Sequence, residues 1–119
     1  MDRKKFVKNL KTESSYIDKN RMMDVLKQSI NANMQDSNPR GHKNLIIVME
    51  ELSELSQAIA KELRGKRDSV NLLEELADVQ LGIYYVQEIC KIKDEDLNKA
   101  MNVKMKRLEN VLSSEGEYK

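Results

Sequence analysis

Apolar side chains recur at helical spacing along most of the chain. Met22, Met23, Leu26, Ile30 and Met34 follow one another every three or four positions, which predicts a helix over about 16–34. Leu45, Val48, Met49, Leu52, Leu55, Ile59 and Leu63 continue the pattern from about Lys43 to Arg64. A third run, about 70–92, is apolar on more of its circumference. A fourth carries Leu97, Met101, Met105, Leu108 and Leu112. The methionines Met22, Met23, Met34 and Met49 read as core filler.

Polar punctuation sets the boundaries. Ser15-x-x-Asp18 resembles a capping box ahead of the first of these helices. DSNPRG (36–41) holds the only proline and closes that helix. In RGKRDS (64–69), Gly65 suits a helix C-terminus and Asp68 or Ser69 the next N-cap. Lys91 and Lys93 favour the negative end of the third helix, and Asp94, Glu95 and Asp96 the start of the fourth. The first dozen residues are Lys-rich and weakly patterned, which fits a frayed arm or a short helix. Residues 1–15 are read as a loose basic arm and 113–119 as a loose tail of a single domain, 1–119. Four helices with short connections imply an all-α, four-helix antiparallel bundle.

Composition agrees. Proline and glycine are scarce (1 and 4), aromatics make up 4%, and 34% of residues are charged, which suits helices and argues against a sandwich or barrel. A net charge of +1 gives no field that selects a nucleic-acid polymer or a membrane surface. One cysteine, Cys90, excludes an intramolecular disulfide and fits a reducing cytoplasm. No secretory h-region and no bilayer-length apolar run is visible.

The informative residues are acids in apolar company: EELSEL at 50–55 and EELAD at 74–78. On an ideal helix, Leu55, Val48, Ile59 and Leu52 lie within about 100° of Glu51 on one side, and Ala58 and Ile47 within about 40° on the other. Glu51 therefore sits inside the apolar arc. Glu54 lies at its edge, and Glu50 outside or at the margin. Glu75 is likewise flanked by Val86, Val79, Leu72 and Ile83 within about 80° on one side and Gly82 within about 20° on the other, with Asp78 about 60° away on the same flank as Glu54. No Lys or Arg shares these inward arcs. Ionised carboxylates are costly to bury unpaired, so four of them want a cation. All-oxygen ligation suits Mg²⁺, with Mn²⁺ as a substitute, rather than Zn²⁺. A di-iron bundle needs Glu-x-x-His, and the one histidine, His42, lacks that context and reads as a surface or helix-start residue. Carboxylate-held Mg²⁺ serves phosphate substrates, and paired ions polarise a phosphoryl group and activate water. That points to phosphoanhydride hydrolysis.

Glu50-Glu51-x-x-Glu54, twenty residues, then Glu75-x-x-Asp78, in the text LIIVMEELSELSQAI and LLEELADVQLGIYYV, resembles the EExxE…ExxD signature of the MazG-like, all-α nucleoside triphosphate pyrophosphohydrolases. The resemblance covers about residues 40–112. It implies Mg²⁺-dependent cleavage of a nucleoside triphosphate between the α and β phosphates, giving a monophosphate and pyrophosphate. It implies Glu51, Glu54, Glu75 and Asp78 as metal ligands. Glu50 would orient or deprotonate the attacking water, against its outward angle. Lys104 and Arg107, in VKMKR (103–107), would contact phosphate. The basic loop KELRGKR (61–67) reads as a connector, with triphosphate contact as the other possibility. A house-cleaning role on noncanonical or excess nucleotides follows by family analogy.

The resemblance also implies a homodimer or homotetramer. The sequence hints at this independently: Leu73, Ala77, Leu81 and Tyr84 make the reverse side of the third helix apolar too, as in a central or interface helix. Related phosphoribosyl-ATP pyrophosphatases usually carry a His soon after the Asp. DVQLGIYY has none, which lowers that identity. The all-α dUTPase branch has extra motifs not visible here. The rival from a different class is a non-enzymatic helical interaction or scaffold protein, in which the inward acids are hydrogen-bonded or sit in an interface.

Overall fold

A computed structural model describes residues 2–34 and 42–114. The described residues form five α-helices and no strand: α1 (Arg3–Thr12), α2 (Lys19–Met34), α3 (His42–Leu63), α4 (Ser69–Ile89) and α5 (Asp94–Ser113). The chain is all-α. Two compact units divide it, 1–89 and 90–119. The proline-containing break 36–41, the side chains of Met34 and His42, and most of the expected loose tail lie outside the described residues. No helix among those described is long and apolar enough to cross a membrane.

The turn between α3 and α4 follows from its sequence. Gly65 takes φ +75°, and its N–H donates to the Glu62 carbonyl (3.0 Å) while the Lys66 N–H donates to Lys61 (2.9 Å). This is a Schellman closure. Asp68 then caps α4, accepting from the Asn71 N–H at 3.1 Å. Of the two N-cap candidates, Asp68 is the one used. The left-handed backbone at Gly65 disfavours any side chain, so Gly65→Ala is expected to destabilise the fold by about 1 kcal/mol, read by thermal melting.

At the N-terminal end, of the two alternatives, a frayed arm or a short helix, the first dozen residues take the second: α1 is a ten-residue helix capped by Asp2, whose side chain accepts from the Lys4 N–H. Arg3 donates two hydrogen bonds to Asp68, at 2.6 and 2.7 Å, and Phe6 and Val7 are half-buried. That bidentate pairing holds the Asp68 carboxyl below the usual carboxylate range. The cap of α2 is Asp18, accepting from the Asn20 and Arg21 N–H groups, and not Ser15, whose own N–H donates to Glu13.

Within the first unit, α3 and α4 pack along each other as a hairpin, with α1 and α2 against α4 and α2 also touching α3. The core is small: Met22, Leu26 and Ile30 of α2, Val48 and Ala58 of α3, and Val79 of α4. Met23 is half-buried. Met49, read as core filler, is instead 68% exposed. It adjoins Val48 in sequence and so points about 100° away from it. Tyr85 ties α4 to α2 by donating to Ser29 Oγ at 3.0 Å, and Lys27 pairs with Glu88 at 3.9 Å.

Candidate metal centre

The seam between α3 and α4 positions the acids. On α3, Asn44, Val48 and Ala58 are buried and Leu55 and Glu62 half-buried, all within about 60° of Glu51. On α4, Val79 and Gly82 are buried and Leu72 and Val86 half-buried, again within about 60° of Glu75. Each helix therefore turns its inward acid into the seam. Glu54 and Asp78 lie about 60° round in the same rotational sense. In an antiparallel hairpin, equal senses fall on the same side of the pair, so the second acids meet as well.

The pairing is crosswise. Glu54 hydrogen-bonds Glu75, while Glu51 feels the charge of Asp78. Glu51, Glu75 and Asp78 are half-buried and Glu54 is exposed. Burial and mutual repulsion push three of the four carboxyls upward. Glu75 rises from its ordinary 4.5 to about 7, through burial first, then the charge of Glu54 and the hydrogen bond to it, then Asp78 and Glu74. Glu51 is raised by burial and by Asp78, Glu54 and Glu50. Asp78 is raised by burial first, against the opposing pull of the N-terminal ammonium, and also by Glu54.

No ion pair among the described residues involves any of these four. The pairs present are Arg3–Asp68, Lys27–Glu88 and Arg67–Glu62. Glu75 Oε2 is buried with no hydrogen-bond partner. Buried carboxylate oxygens are normally satisfied, so an orphaned one on a carboxyl that feels the charges of Glu54 and Asp78 suits a hard divalent cation. The oxygen-only donor set suits Mg²⁺ or Mn²⁺. Among the described residues no three acidic, His or Cys side chains stand as a ready ligand set. Glu side chains have several rotatable bonds, and a rotamer change relocates both oxygens.

The remaining candidates lie elsewhere. Glu50 is exposed on α3, as its angle suggested. Lys104 and Arg107 are exposed on α5, in the second unit, one turn apart on that helix. In the basic loop, Arg67 Nε donates to Glu62 at 3.0 Å, a local role that fits a connector. Tyr84 is half-buried. The sequence angles put Gly82 within about 20° of Glu75 without giving it a role; it is buried on α4 one turn beyond Asp78. The available signal was a glycine inside a helical pattern, which commonly has a packing reason. The sequence reading passed over Asn44 and Gln87, the polar side chains buried among the described residues. Comparison with known proteins adds nothing to the geometry: no family model, curated protein or solved structure matches the chain significantly.

Proposed function

We propose that the chain is a Mg²⁺-dependent nucleotide pyrophosphohydrolase of the MazG-like kind, cleaving (d)NTPs between the α and β phosphates. The observation that carries this reading is the cluster Glu51, Glu54, Glu75 and Asp78 across one helix seam, with no ion pair to a Lys or Arg among the described residues and an orphaned buried oxygen on Glu75. These four residues would hold the metal. When bound, Mg²⁺ supplies Lewis-acid polarisation of the phosphoanhydride. The chain's own groups do the rest. By the family resemblance Glu50 would orient the attacking water, although it is exposed outside the seam, and Lys104 and Arg107 would be phosphate contacts. A panel of NTPs and dNTPs incubated with Mg²⁺ or Mn²⁺ tests it. Monophosphate and pyrophosphate from any of them supports the reading. No turnover across the panel, or with phosphoribosyl-ATP, moves weight to a helical interaction protein.

The proposed architecture is a four-helix antiparallel bundle completed by a second copy, as a homodimer or homotetramer. Support comes from α4, where Leu73 is 46% and Leu81 37% exposed in the single chain. These residues lie on the side away from Glu75. Apolar area of this kind is worth about 25 cal/mol per Å² when covered. Analytical ultracentrifugation is expected to show a dimer or larger species, and Leu81→Glu to shift it towards monomer. The same apolar face would serve the interaction-protein reading, so hydrolysis and not assembly separates the two.

A further inference from the structure

Gly82 is a glycine in the interior of α4, a position where alanine would favour the helix. Its neighbours explain the choice. A Cβ built on Gly82 would lie 3.2 Å from both Val48 methyls and 3.5 Å from Glu51 Oε1. The last distance is ordinary contact. The two methyl distances are too tight, and Val48 would have to give by a few tenths of an ångström. Val48 is 4% exposed and β-branched, so it has little rotamer freedom in a helix. The relief would come from α3 moving off α4, and Glu51, one turn beyond Val48, would move with it.

We propose that Gly82 is a positioning residue: its missing side chain lets α3 approach α4 closely enough to hold Glu51 beside Asp78 and Glu75. The inference rests on the metal reading of that cluster and deepens it. Gly82 touches no substrate and acts through Val48 and Glu51.

The test is Mn²⁺ binding, followed by electron paramagnetic resonance, to wild type, Gly82→Ala, Val48→Ala and the double variant. Gly82→Ala is expected to bind about tenfold more weakly or worse. Removing the Val48 methyls makes room, so the double variant is expected within about threefold of Val48→Ala alone. Metal-free melting reads the contact independently. Gly82→Ala should lower Tm in the wild-type background and raise it in the Val48→Ala background, where only helix propensity remains. Equal Mn²⁺ binding by wild type and Gly82→Ala overturns the role of Gly82 alone, as does failure of the double variant to recover. If Gly82→Ala does not fold, the double variant decides: poor Mn²⁺ binding by the folded double overturns the role. A wild type that binds no Mn²⁺ overturns the metal reading itself, and Gly82's role with it.

Discussion

Glu51→Gln and Asp78→Asn are each expected to lower nucleotide turnover by at least about a hundredfold. Helix content should be intact and metal-free melting unchanged or raised. Both substitutions keep the side chain's size and remove one negative charge from a seam that has no positive partner among the described residues. The fold loses mostly unfavourable terms, since burial and neighbouring carboxylates hold both groups above their ordinary values, and Asp78→Asn gives up only the opposing attraction of the N-terminal ammonium. Cation binding, by contrast, loses an anionic ligand outright. Steady-state hydrolysis with calorimetric Mg²⁺ titration reads both effects. An interaction protein would show neither, because it has no turnover to lose. Variants that hydrolyse as fast as wild type would remove these residues from the site.

The second large effect is a pH dependence that the metal reverses. Glu75 keeps its proton in the folded chain to about pH 7, while the unfolded chain releases it near 4.5. Between those values the unfolded state binds fewer protons than the folded one, so metal-free stability falls as pH rises through that window and levels off above it. Below the window both states are protonated and nothing is lost. One proton is worth about 1.4 kcal/mol per pH unit at most. Glu54 is exposed and solvent screens its share, so a loss on the order of 1–2 kcal/mol is expected across the window. Glu51 and Asp78 shift in the same direction and add to it. Glu75→Gln should flatten the profile. Mg²⁺ favours the ionised cluster and should restore stability most at the alkaline end. Denaturant melts with chelator and with Mg²⁺, from pH 4.5 to 8, check both. A metal-free stability that rises with pH over this range would contradict the buried-acid picture.

Periodicity around one helix was enough to turn Glu51 and Glu75 inward, because the buried Val48, Ala58, Val79 and Gly82 lie within about 60° of them, although Leu52, Ile59 and Ile83 of the same arcs are exposed. Gly65 and Asp68 were legible for a similar reason, since their roles depend on local backbone geometry and hydrogen bonds. What could not be read depended on a second element. The contact of Arg3 in α1 with Asp68 joins residues 65 positions apart. The close approach at Gly82 depends on the axial register of α3 against α4, which sets Val48 opposite it. A single-helix angle contains no such register. The orphaned Glu75 oxygen follows from the same register, through Glu54.

The central claim is that this acid-lined seam supports attack on an α-phosphorus, and hydrolysis in ¹⁸O-labelled water tests it most directly. With Mg²⁺ and its preferred nucleotide, the reaction followed by ³¹P NMR is predicted to yield unlabelled pyrophosphate and a monophosphate carrying the label. Diphosphate with labelled orthophosphate, or no reaction with any nucleotide in Mg²⁺ or Mn²⁺, would contradict it.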